Sequence, residues 1–152
     1  MNPIELGSAT HTLEIESRLD QIEVALNWLR ELGAKQGWPD RALFSLVLSA
    51  DEALTNIVAH AAGVEQSDVT RGVSTSVRLV CTLMPQELSL RIEDEGPEFD
   101  PTQVDPDQLP ESIEEAAVGG HGIRLMHHYL KSIHYVRQGR RNVLTLQVDA
   151  KF

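Results

Sequence analysis

One cysteine, Cys81, stands in 152 residues, so no disulfide can close within the chain, and a reducing cytoplasm is the expected setting. Cations are scarce. Lys and Arg number 13 against 23 Asp and Glu, a formal charge of −10 that repels a nucleic-acid backbone and an anionic lipid surface alike. Neither direct nucleic-acid binding nor a membrane partner is expected. No apolar run approaches the roughly 18 to 20 residues that span a bilayer, and the opening MNPIELGSAT has no basic segment followed by an apolar core. The histidines include no H-E-x-x-H, and the neighbours His127 and His128 point in different directions on a helix, so a histidine metal site is not expected. No repeat or low-complexity tract occurs. The length suits one core, and a single domain over 1–152 is expected.

His11, Leu13 and Ile15 alternate with Thr12, Glu14 and Glu16, a strand with one buried face. Ser17 with Asp20 three places on predicts a capped helix over 18–35, and Pro39 suits the first turn of a second helix over 40–62. Past a polar loop near 63–72, Val73, Thr75, Val77, Leu79, Cys81 and Leu83 alternate as a strand. Pro85-Gln86 turns it, and Leu88, Leu90 and Ile92 belong to its antiparallel mate. From Gly96 to Gly120 the chain has four prolines, six carboxylates from Asp100 to Glu115 and little periodicity, and a stretch that long is expected to be a mobile lid or binding loop. A helix over 123–130 and strands over 132–137 and 143–148, joined at Gln138-Gly139-Arg140-Arg141, complete the chain. The order predicts an α+β fold, a two-layer α/β sandwich whose mixed, mostly antiparallel sheet is covered on one face by three helices.

Three features carry chemistry. On the second helix Leu43, Leu46, Val47, Ala50, Leu54, Ile57, Val58 and Ala61 gather on one side, and Ser45, Ser49, Glu52, Asn56 and His60 line up within roughly 80° on the other. A solvated face is the ordinary explanation of such a stripe, but this one is poor in Lys and Arg and rich in small groups that admit a close approach. Glu52 and Asn56, one turn apart, can reach one object with oxygen donors of the kind that suit Mg²⁺. His60 reads as a structural hydrogen-bonding residue. Counting on by two from Ile92 lands on Asp94, a carboxylate on the inward side of a strand. It either caps the turn at Glu95-Gly96-Pro97 or takes its missing donors from a ligand, as from the exocyclic amine of a purine. Gly96 lets a flat ring approach the backbone. Gly119-Gly120-His121-Gly122-Ile123 precedes a helix whose first N–H groups suit phosphate. No Lys-Ser/Thr pair follows and no strand precedes, so the cluster is neither a Walker loop nor a Rossmann fingerprint.

In this order the three features resemble the GHKL (Bergerat-fold) ATP-binding superfamily and, within it, the bacterial anti-sigma factor serine/threonine kinases. The first box is similar to Glu52-Ala53-Leu54-Thr55-Asn56-Ile57-Val58-Ala59-His60-Ala61, the second to Asp94-Glu95-Gly96-Pro97-Glu98-Phe99-Asp100-Pro101, and the third to Gly120-His121-Gly122-Ile123. Similarity covers essentially the whole chain. The resemblance implies that Glu52 is the base that activates a protein hydroxyl, that Asn56 holds Mg²⁺ and that Asp94 reads the adenine amine. Gly96, Phe99 and Asn142 then border the nucleotide, and Gly120, His121, Gly122 and Ile123 cradle phosphate under a lid near 96–120. It further implies ATP and Mg²⁺ as cofactors, a STAS-type anti-anti-sigma protein as substrate, a sigma factor as second partner, and a homodimer. Two positions depart from the pattern: Lys131-Ser132 stands where an acidic pair is usual, and Asn142 where Thr is usual. Sharing parity with Leu144, Leu146 and Val148, Asn142 still faces inward. The alternative is a nucleotide-dependent binding module that sequesters a partner without phosphoryl transfer. The catalytic part of a histidine kinase is disfavoured, since no dimerisation helix with a phosphoacceptor histidine precedes the domain.

Overall fold

The computed structural model describes residues 9–61, 75–103 and 126–150. Strand β1 (Ala9–Glu16) buries Ile15 and exposes Thr10, Thr12, Glu14 and Glu16, as its alternation predicts. Helix α1 (Leu19–Gln36) differs at its start. Arg18, in extended conformation, occupies the N-cap without a side-chain cap bond, and Ser17 instead gives its amide to the Thr75 carbonyl at 2.7 Å. Its hydroxyl is buried without a partner, so the expected Ser17 cap is corrected: pairing with a distant segment claimed the residue that local pattern assigned to the helix. Along α1, Ile22, Ala25, Leu26, Leu29 and Leu32 recur every third or fourth residue and form one buried face. The helix stops at Gly37 in the left-handed region, φ 69°, which glycine adopts without strain. Gly33 answers a different need, because a Cβ there would lie 3.0 Å from Leu43 on the next helix.

Helix α2 (Asp40–Ala61) follows Pro39, whose carbonyl accepts the Leu43 N–H at 3.0 Å. It is long and apolar enough to cross a membrane, with mean hydropathy 1.4 over an 18-residue window within Asp40–His60, which corrects the expectation that no stretch comes near that length. Part of its apolar side is spent within the protein, and Phe44 is exposed. Ala42, Leu46, Ala50, Ala53 and Leu54 are all buried, as in the core helix of a two-layer domain.

Strands β2 (Ser76–Met84) and β3 (Glu87–Asp94) form a hairpin about Pro85-Gln86, and β4 (Ser132–Gln138) and β5 (Arg141–Asp149) form a second about Gly139-Arg140. The sheet runs β1-β2-β3-β5-β4, each neighbouring pair antiparallel. Because the register pairs Leu88 with Val148, Leu90 with Leu146 and Ile92 with Leu144, the two inward rows coincide, and Asp94 falls opposite Asn142. Helices α1 and α2 cover this apolar face. Of the third helix, one turn at 126–129 is described, with Met126 buried. The rest of the helix expected over 123–130, the loop expected near 63–72, Val73 and the lid expected from 104 onward lie outside the described residues.

Cys81 sits in the core, and burial pushes its thiol up to about 12. A thiol reagent at mildly alkaline pH should therefore leave the folded protein unlabelled and react fully in denaturant, because only the thiolate attacks. Equal rates in both states would contradict this packing.

Candidate functional site

Neighbouring acids at the end of β3 meet opposite fates, although each is only 7% exposed. Glu93, on the face away from the helices, spends both oxygens on arginines: Oε2 on Arg91 Nε at 2.9 Å and Oε1 on Arg141 Nη1 at 3.0 Å. It is a structural ion pair. Asp94 continues the inward row and accepts the Gly96 N–H at 2.8 Å and Asn142 Nδ2 at 3.1 Å, both on Oδ1. The turn cap thus uses one carboxylate oxygen of two. Burial raises the Asp94 pKa above its ordinary 3.8, while the Gly96 and Asn142 bonds and then the charges of Arg137 and His60 pull it back. Gly96 is demanded by this geometry, since a Cβ would stand 2.9 Å from Asp94 Oδ1.

Asn142 is buried and bonded at both ends. Nδ2 meets Asp94 Oδ1, the Pro97 carbonyl at 2.9 Å and the Gly96 carbonyl at 3.4 Å, while Oδ1 meets the Tyr135 hydroxyl and Arg137 Nη1 at 3.0 Å. Acceptors on one side and donors on the other leave one orientation for the amide. Burial, followed by the nearby Glu98, raises the Tyr135 pKa, so its hydroxyl stays a donor. Arg137 Nη1 also bonds the Gly96 carbonyl at 2.8 Å. Sequence reasoning missed Tyr135 and Arg137. The signal that found Asp94 was available for them too: counting by two from Ile133 along β4 leads to Tyr135 and Arg137 on the inward row, paired with Leu144 and Asn142.

The polar stripe on α2 divides. Ser45 and Ser49 are fully buried, and solvent meets Arg41, Phe44, Asp51, Thr55 and Ala59 instead. Ser45 returns its hydroxyl to the Arg41 carbonyl at 2.8 Å, and the Ser49 hydroxyl has no partner. Their small size serves packing, which corrects the expectation that these small groups admit a close approach. Glu52 and Asn56 are half-buried, and Glu52 Oε1 is buried without a hydrogen-bond partner. Burial, and after it the charge of Asp51, raises the Glu52 pKa above 4.5, against a bond from Asn56 that lowers it. An orphaned carboxylate oxygen is costly unless a cation or proton donor is to meet it. Among the described residues His60 makes a ring contact with Phe99, centroids 4.2 Å apart, rather than the hydrogen bond expected of it.

Asn56, Asp94, Phe99 and Asn142 line one cavity together with the apolar Met126 and Leu144. Gly96 lies behind Asp94, and Glu52 stands one turn from Asn56. Free volume is about 30 Å³, room for a water or two rather than the roughly 300–1,000 Å³ of small-molecule sites. Phe99 and Pro101 close part of the wall, on a segment pinned where Asp100 Oδ1 accepts the Thr102 N–H at 2.8 Å and caps the turn Pro101–Gln103. The Gly96 and Pro97 carbonyls, at the start of the expected lid, accept bonds from Arg137 and Asn142. Gly120, His121, Gly122 and Ile123 lie outside the described residues.

The family model for the histidine kinase-like ATPase domain matches residues 15–148. The chain belongs to the histidine kinase-like ATPase family. Within it, the serine/threonine-protein kinase BtrW of Bordetella bronchiseptica is 38% identical over 141 residues, 93% of this chain and 94% of that protein. The serine-protein kinase RsbW of Listeria innocua is 23% identical over 146 residues, 92% and 88% of the two chains. Two solved structures share the fold of this histidine kinase-like ATPase domain. The RsbU and RsbW domains of Rv1364c from Mycobacterium tuberculosis match with TM-score 0.63 and 15% identity over 92% of this chain and 32% of that one. A chain of the SiaB-SiaC complex from Pseudomonas aeruginosa matches with TM-score 0.53 and 10% identity over 91% and 89%. The GHKL resemblance and the α+β expectation are both borne out.

Proposed function

We propose that this histidine kinase-like ATPase domain is a serine/threonine-protein kinase that binds ATP·Mg²⁺ at the cavity, phosphorylates a STAS-type anti-anti-sigma protein, and holds a sigma factor when that antagonist is absent or phosphorylated. The observation that carries it is the orphaned Glu52 oxygen one turn from Asn56, beside a cavity that Asp94 borders with one oxygen uncommitted to the turn. Two kinase relatives, one of them 38% identical, support the reaction class. Among the described residues no three His, Cys, Asp or Glu side chains gather as a metal cage. A cation here has few protein ligands, and Mg²⁺ suits that, keeping water and phosphate oxygens as its others. Asn56 would hold it, and when bound it neutralises phosphate charge. Glu52 takes the proton from the incoming hydroxyl, with its raised pKa bringing it nearer the pH at which it works. Asp94 accepts the adenine amine, and Phe99, Met126 and Leu144 supply the apolar walls. Because the cavity is small, a purine enters as the Phe99–Pro101 wall gives way. The protein is a cytoplasmic homodimer in this account, and sedimentation would check the second point.

Incubation with γ-labelled ATP, Mg²⁺ and the STAS antagonist should label the antagonist. Calorimetric ATP binding with no label on any partner would assign the chain to sequestration without transfer. Gly96→Ala drives a Cβ into the place of Asp94 Oδ1, so ATP affinity should fall at least tenfold, roughly the loss of one charge-assisted hydrogen bond. Unchanged affinity in that variant would separate Asp94 from the base.

A further inference from the structure

We propose that Arg137 and Tyr135 are positioning residues that make the site select a 6-amino purine over a 6-oxo purine, acting on Asp94 through Asn142 and Gly96. This rests on the adenine reading above. The hydrogen bonds all run one way. Tyr135 Oη and Arg137 Nη1 donate to Asn142 Oδ1, and Asn142 Nδ2 donates to Asp94 Oδ1 at 3.1 Å. By a second path Arg137 Nη1 donates to the Gly96 carbonyl at 2.8 Å, and the Gly96 N–H donates to the same Asp94 Oδ1 at 2.8 Å. The guanidinium is itself fixed, since its Nε bonds the Gly139 carbonyl at 3.1 Å on the β4–β5 turn.

Arg has donors only and keeps its charge, and the tyrosine hydroxyl faces an oxygen that can only accept, so neither end of the chain can reverse. Every step therefore points donors at Asp94. What the carboxylate offers a ligand is an acceptor, which welcomes an exocyclic amine and opposes a carbonyl oxygen. Asn142 has both ends committed inside the protein, so discrimination passes through Asp94 and not through direct contact of Asn142 with the base. A brace without this directional role would weaken all purine ligands alike.

Calorimetric titration of the full chain with ATP and with inosine triphosphate, both with Mg²⁺, distinguishes the two. Wild type should prefer ATP by roughly tenfold or more, since a buried group built to pair with an amine is left facing an oxygen in the other ligand. Arg137→Ala should bring the ratio to within about threefold, because it removes a donor to each of the two groups that aim Asp94. Tyr135→Phe, which takes one hydroxyl and almost no volume, should reduce the ratio by a smaller factor, and it carries the test if thermal melts show that Arg137→Ala does not fold. Affinity lost equally for both nucleotides, with the wild-type ratio kept, overturns the proposal and leaves ATP binding standing. Equal binding of both by wild type also overturns it. Binding of neither nucleotide by wild type overturns the proposal and the ATP reading together.

Discussion

Glu52→Gln is expected to lower phosphoryl transfer to the antagonist by roughly 10²–10⁴-fold, the range for a positioned general base, while ATP affinity stays within a few-fold. Glutamine keeps the shape and the hydrogen-bonding carbonyl, so Asn56 retains a neighbour of the same size. What it lacks is a basic oxygen, and Oε1 is the oxygen that no group among the described residues satisfies. Labelled-phosphate transfer and calorimetry on the same preparation separate the two quantities. The pH dependence has a definite sign. As the proposed base, Glu52 has to be ionised for transfer, and burial with Asp51 raises its pKa above 4.5, so the wild-type rate is expected to fall as pH drops through that raised value. The glutamine variant has no acid limb from this group. Full labelling in Glu52→Gln would remove the residue from the mechanism.

Asp94→Asn is expected to abolish ATP binding and to leave the ligand-free protein as stable as wild type or more so. The carbonyl oxygen of an asparagine can keep the Gly96 and Asn142 bonds now made to Oδ1, but its amide replaces the second oxygen and sets a donor against the purine amine. Affinity should drop roughly 10²-fold or more, as when a polar site meets a partner of the wrong sense. Stability moves the other way. Because folding raises the pKa of Asp94 above 3.8, the ionised form is disfavoured in the folded state, and wild type loses stability as pH rises from that ordinary value through the folded one. Asparagine never ionises and escapes that loss at neutral pH. Thermal melts with and without ATP·Mg²⁺ measure both effects at once, since a ligand raises the melting point only in a protein that binds it. A variant stabilised by ATP as strongly as wild type would show that Asp94 is not the base reader.

How much of this was legible beforehand depends on the range of the interaction. The inward placement of Asp94 and Asn142 follows from parity alone, because side chains alternate along a strand whatever the strand pairs with. Glu52 and Asn56 share a helix face for the same local reason, and the Pro85-Gln86 turn and the hairpin strands are likewise nearest-neighbour matters. Ser17 shows the limit. Its cap pattern is sound locally, yet Thr75, far along the chain, takes its amide and the helix begins without it. Ser45 and Ser49 show another. Periodicity put them with Glu52 on one stripe, but only the packing of α2 decided that the first pair is buried and that Asn56 alone reaches the cavity wall.

The sequence by itself determined which residues can act: a helix with a carboxylate and an amide one turn apart, a strand whose apolar row ends in an acid, and a family pattern joining them. Tertiary structure alone decided that these residues meet. Pairing β3 with β5 put Asp94 across from Asn142, pairing β5 with β4 brought Tyr135 and Arg137 to the same corner, and among the described residues the fold left Glu52 Oε1 without a partner. Strand order and register are set by the sum of many distant contacts, whereas alternation is set by the backbone of each residue, and so the second is readable along the chain and the first is not.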